Sequence, residues 1–215
     1  MKIQSQAISI QGPAGHIEAI LDLPEQSNQQ PFISVNCHPH SLHGGSMTNK
    51  VVHTVSRSIA GLGIPSLRFN FRGVGKSEGE FDEGQGEQLD LAAAVHWINR
   101  HYSDRQLILS GFSFGAYVSG FAAANLNPSM LLSVAPPVKR FNFDNFQRPA
   151  CDWSVIMGDK DELVEYADVS RWVDSFDASP KLLTMSGASH FFHGRLVELR
   201  SQVEELVSNY ILERN

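Results

Sequence analysis

The chain has 215 residues, with 23 acidic and 17 basic side chains and a net charge of −6. Its 42% hydrophobic and 19% charged residues supply a sizeable core and argue against disorder, and the length suits one domain, residues 1–215. The acidic balance, with no Lys/Arg-rich block, argues against a nucleic-acid binder, which needs clustered cations against phosphate.

Two cysteines, Cys37 and Cys151, are too few for a disulfide framework and suit a reduced, cytoplasmic protein. The polar start leads into no apolar signal-peptide core. Residues 106–138 form a 33-residue run without Asp, Glu, Lys, Arg or His, long enough to span a membrane. Gly111, Gly115, Gly120, Pro128 and Pro136 break it. It reads as strand, turn, helix and strand, the buried centre of a soluble sheet, so no membrane partner is expected.

The elements follow in order. Residues 3–10 and 16–23 flank the turn signal Gly12-Pro13-Ala14-Gly15 and read as a hairpin. A polar loop over 25–31 leads to a short apolar strand over 32–37. Val51, Val52, Val55, Ile59 and Leu62 repeat with helical period over 48–62, and Gly63 punctuates the end. A strand over 64–71 precedes an acidic, glycine-rich loop over 73–86 and a helix over 88–102. Next come a strand over 106–109, a helix over 114–124, strands over 130–134 and 154–157, a helix over 166–173, a strand over 181–185 and a last helix over 195–212. Alternation of this kind predicts an α/β fold: a mainly parallel sheet of about seven or eight strands, helices on both faces and an antiparallel N-terminal hairpin.

Gly111-Phe112-Ser113-Phe114-Gly115 matches G-x-S-x-G. It follows an apolar strand and opens a small-residue helix, the setting a nucleophile elbow requires. Such a turn presents Ser113 at a helix N-terminus, where N–H groups favour developing negative charge. A serine nucleophile needs a base, and the base needs an orienting carboxylate, following the serine in chain order. Two downstream loops qualify. Residues 158–164 carry Asp159, Asp161 and Glu162, and residues 187–194 carry His190 and His193. Both leave strand ends on the edge where α/β sheets bind ligands.

The elbow, the Gly-Asp-Lys-Asp-Glu-Leu-Val loop and the Ser-His-Phe-Phe loop closely resemble the α/β-hydrolase superfamily. The segments 38–50 (His-Pro-His-Ser-Leu-His-Gly-Gly-Ser-Met-Thr-Asn-Lys) and 67–79 narrow the likeness to small, lid-less bacterial hydrolases related to dienelactone hydrolases. The resemblance implies Ser113 as nucleophile, Asp161 as the acid member and His190 as base. Asp159 and Glu162 are the fallbacks, and His193 is a support or surface residue. Dienelactone hydrolases proper carry cysteine at the elbow, so serine here favours ordinary ester or thioester chemistry. The oxyanion hole would use the backbone N–H groups of Phe114 and His40, with Ser41 as the alternative to His40. The partner expected is a small ester or thioester, without a cofactor.

Other readings carry less weight. His38, His40, His43, His190 and His193 fall in two loops that should meet, but no known ligand spacing is completed, so no metal is expected. Gly73-Val74-Gly75-Lys76-Ser77 imitates a phosphate loop, yet Asn70 stands where the pattern needs glycine, so a structural turn is expected. Residues 139–152 are too few for a cap domain, which predicts an open site. Phe141, Phe143 and Phe146, with Phe191 and Phe192, either form an acyl-binding wall or cover the sheet edge. Cys37 reads as a small buried hydrophobe. The rival functions are a peptidase or amidase with the same triad, and a silent binding protein on the same fold.

Overall fold

A computed structural model describes residues 2–25 and 30–214. Its strands are β1 (Ile3–Gly12), β2 (Gly15–Pro24), β3 (Phe32–Cys37), β4 (Ser66–Phe69), β5 (Gln106–Phe112), β6 (Met130–Val134), β7 (Asp152–Gly158) and β8 (Lys181–Met185). Its helices are α1 (Lys50–Gly61), α2 (Gln85–His101), α3 (Phe114–Leu126), α4 (Tyr166–Asp174) and α5 (Leu196–Leu212). All eight strands join one sheet in the order β1-β2-β4-β3-β5-β6-β7-β8. β1 pairs antiparallel with β2, and β2 antiparallel with β4; every later pairing is parallel.

Every residue of β3, β4 and β6 is buried, as expected of parallel strands covered on both faces. Helix α1 packs with α5, and α2 with α3. The polar residues inside these strands are satisfied. Ser110 donates to Asn36, Asn36 donates to Ser66 and to the Leu67 carbonyl, and Arg68 pairs with the buried Asp22 at 3.2 Å. No described helix is long and apolar enough to cross a membrane. The uncharged run 106–138 is β5, α3 and β6 at the centre of the sheet.

Several boundaries differ from the sequence reading, β7 among them, which starts at Asp152 rather than 154. The strand expected over 64–71 keeps only Ser66–Phe69, because the Phe71 N–H donates to the His38 ring at 3.0 Å instead of to a neighbouring strand. Helix α2 starts at Gln85 rather than 88: its first turn lacks apolar residues, and Glu87 caps it by accepting the Asp82 and Gly84 N–H groups. β5 runs past Gly111 to Phe112. Of the loop expected over 25–31, residues 26–29 lie outside those described. The glycine-lysine-serine segment is a turn: Ser77 donates to the Asn70 carbonyl, and Glu18 accepts from Asn70 and from the Lys76 N–H.

His38 is spent on this architecture. Its Nδ1–H donates to the Pro39 carbonyl at 2.6 Å and its Nε2 accepts the Phe71 N–H. Burial pushes its pKa down to about 4 from 6.5. Below 6.5 the unfolded chain therefore binds a proton that the native state refuses. The stabilisation is complete above that value and is lost as pH falls toward about 4. Denaturant unfolding at a series of pH values checks this. Between pH 7 and pH 4, wild type should lose about 3 kcal/mol more than His38→Gln, whose amide oxygen can still accept the Phe71 N–H. Parallel curves would refute the assignment.

Candidate active site

Five loops leave the C-terminal ends of parallel strands and converge on one cleft of about 280 Å³. They follow β3, β5, β6, β7 and β8.

The loop after β5 is a single residue. Ser113 sits at φ 53°, ψ −118°, a conformation that L-residues avoid, between the last strand residue and the first turn of α3. The flanking glycines make this turn possible. A Cβ on Gly111 would overlap the Gly115 carbonyl, and a Cβ on Gly115 would overlap the Cys37 carbonyl. Strand and helix thus approach more closely than any side chain would allow. Cys37 itself is buried and its thiol is pushed up by desolvation, so it stays protonated.

The sheet brings the three chemically complementary groups together. Ser113 Oγ lies 3.1 Å from His190 Nε2, and His190 Nδ1 lies 2.7 Å from Asp161 Oδ2. A carboxylate only accepts, so Nδ1 carries the proton and Nε2 presents its lone pair to the hydroxyl. The side chains of His190 and Asp161 are almost wholly buried. The second oxygen of Asp161 accepts the Leu163 and Val164 N–H groups at 2.9 and 2.7 Å, which fixes the carboxylate.

The neighbouring acids have other partners. Glu162 accepts the His190 backbone N–H at 3.0 Å, and Asp159 accepts from Gly187 and Ser186, tying the loop after β7 to the loop after β8. His193 is exposed. The backbone N–H groups of Phe114 and His40 have no acceptor among the described residues, and both residues line the cleft. Ser41 does not line it.

The aromatic residues divide. Phe141 and Phe191 line the cleft. Phe143 and Phe192 do not, so of the two alternatives left open by the sequence a wall along the cleft fits only Phe141 and Phe191. Phe143 packs against Tyr117, Phe121, Phe146 and Trp172. The chain turns at Phe192, φ 52°, and drives that ring, fully buried, toward Phe112. Phe146 joins Trp153, Trp172 and Phe176 in a sheet-edge cluster. The reading missed Asn49, Pro137, Arg140, Leu163 and Val164, which also line the cleft. Lys139-Arg140, the first charges after the uncharged run, were the available signal.

A family model for the alpha/beta hydrolase fold matches residues 41–141. The Xanthomonas campestris protein XC6422, an α/β serine hydrolase without lid, is 44% identical and superposes with a TM-score of 0.92, over 98% of this chain and 97% of that one. An α/β serine hydrolase homologue from Coxiella burnetii is 43% identical with a TM-score of 0.89, over 93% and 96%. The Rickettsia prowazekii protein RP471 is 31% identical over 94% of this chain and 90% of its own. Likeness of this extent, over nearly the whole length and around the same sheet, means that the chain belongs to the α/β serine-hydrolase family.

Proposed function

We propose that the protein hydrolyses small carboxylic esters or thioesters through an acyl-enzyme intermediate. The observation that carries this reading is the unbroken chain of contacts from Asp161 through His190 to Ser113. His190 Nε2 takes the hydroxyl proton as Ser113 Oγ bonds to the carbonyl carbon. Negative charge collects on the carbonyl oxygen, held by the N–H groups of Phe114 and His40 at the start of α3 and in the loop after β3. Asp161 stabilises the imidazolium. The tetrahedral intermediate collapses, His190 gives its proton to the departing alcohol or thiol, and the acyl group stays on Ser113. Water then repeats the attack with His190 as base, releasing the acid and restoring the hydroxyl.

The cleft's size and the stretch between β6 and β7, which contains no helix, support a small substrate reached without lid opening. The free Cys37 and Cys151 support a reducing, cytoplasmic setting, and the net charge supports a small molecule rather than nucleic acid as partner.

A fluorophosphonate probe and a panel of p-nitrophenyl esters, N-acetylcysteamine thioesters and aminoacyl amides test the reading. Expected are stoichiometric labelling and turnover of short-chain esters or thioesters well above amides. No labelling and no turnover would sink it, and amides as the best substrates would replace esterase with amidase.

A further inference from the structure

We propose that the cleft selects an ester or thioester bearing a carboxylate or phosphate group, and that Arg140 is the specificity-determining residue that holds this anion. The inference rests on Ser113 as nucleophile and adds the substrate's charge.

Arg140 stands on a tight turn after β6. Its backbone N–H and that of Phe141 both donate to the Pro137 carbonyl, at 3.0 and 3.3 Å, and Lys139 before it has φ 68°. The turn sends two adjacent cations to different uses. Lys139 pairs with Asp168 at 2.9 Å, which also holds Arg171. Arg140 instead lines the cleft that contains Ser113, and it has no carboxylate partner among the described residues. Its Nε–H donates to the Leu163 carbonyl at 2.5 Å, so the side chain is pinned to the loop that carries Asp161. Pinning through Nε leaves the four N–H donors of the two terminal nitrogens unspent.

The surroundings reinforce this. Among the described residues no Asp or Glu lines the cleft, although the protein as a whole carries a net charge of −6. Burial and the neighbouring His43 hold the His40 ring below its ordinary pKa, so that ring is neutral near pH 7 and does not compete as a charge. A pre-oriented guanidinium, weakly hydrated and free of a protein counter-ion, matches the two oxygens of a carboxylate or phosphate. A carboxylate would sit on the acyl part; a phosphate would belong to the leaving group.

Two substrate pairs test the proposal and separate these sources. Monomethyl succinate is compared with dimethyl succinate, and acetyl-coenzyme A with S-acetyl-N-acetylcysteamine. In one pair, the kcat/KM ratio of anionic over neutral substrate should fall roughly 10- to 100-fold in Arg140→Met, and Arg140→Lys should restore part of it. A fall in the first pair assigns an acyl-side carboxylate, and in the second a phosphate-bearing thiol. Unchanged ratios in both pairs overturn the proposal while leaving the hydrolase reading intact if the fluorophosphonate still labels Ser113. If it does not label, the hydrolase reading fails, and calorimetric titrations with succinate and with inorganic phosphate judge the anion site alone. Binding of either by wild type that is lost in Arg140→Met then supports the site, and absent or equal binding of both overturns it.

Discussion

Ser113→Ala is expected to lower kcat about 10⁶-fold and to abolish fluorophosphonate labelling. In the proposed mechanism the three groups act as a unit, so loss of the hydroxyl leaves His190 with no proton to take and Asp161 with no imidazolium to stabilise. What survives is binding and the two N–H donors of Phe114 and His40, which retain about 10³–10⁴-fold acceleration over water in triads of this kind. The substitution removes one oxygen and leaves the φ 53° backbone in place, so the fold should not change. Kinetics on protein quantified by absorbance, and thermal unfolding, check both halves. Activity within 100-fold of wild type, from protein free of contaminating esterase, would refute Ser113 as the nucleophile.

Asp161→Asn is expected to cost about 10⁴-fold in kcat, for a reason built into the loop after β7. Oδ1 of Asp161 accepts two backbone N–H groups, those of Leu163 and Val164. An asparagine there must keep its carbonyl oxygen on those donors, because its NH₂ cannot accept. The NH₂ is then directed at His190 Nδ1, which must take it as an acceptor. That forces the proton onto Nε2, 3.1 Å from Ser113 Oγ, and the histidine can no longer act as base. The fluorophosphonate labelling rate should fall with kcat, while thermal stability changes little because the shape is kept. A variant within tenfold of wild type would show that the carboxylate orients nothing.

Both effects concern residues that the sequence reading had already singled out, and the way each was legible differs. The elbow is local. Gly111 and Gly115 are required because each would collide with backbone, at Gly115 and Cys37 respectively. A steric demand of that kind confines the residue type and so writes itself into a five-residue pattern. The carboxylate is not local. Asp159, Asp161 and Glu162 lie within four positions, and nothing in composition or spacing ranks them. Resemblance singled out Asp161. The structure separates the three by their partners: the Gly187 N–H, the His190 ring and the His190 N–H.

The aromatic residues show the limit most plainly. Phe191 and Phe192 are adjacent and chemically identical, yet one lines the cleft and the other is buried. The left-handed backbone at Phe192 decides this, and phenylalanine itself gives no sign of a positive φ. Phe141 and Phe143 also part: Phe141 lines the cleft, while Phe143 packs against Phe121 and Trp172. Apolar character sends a ring away from water, but direction follows from the backbone.

By itself the sequence determined the alternation of strands and helices, the parallel sheet and the tight turn at Ser113. Those depend on periodicity and on close backbone approach, which act over a few residues. Only the tertiary structure decided which acid faces His190, which phenylalanines line the cleft, and that Arg140 enters it while Lys139 pairs with Asp168. These outcomes depend on groups from separate loops competing for the same few donors and acceptors, a contest settled only when the sheet brings the loops within reach.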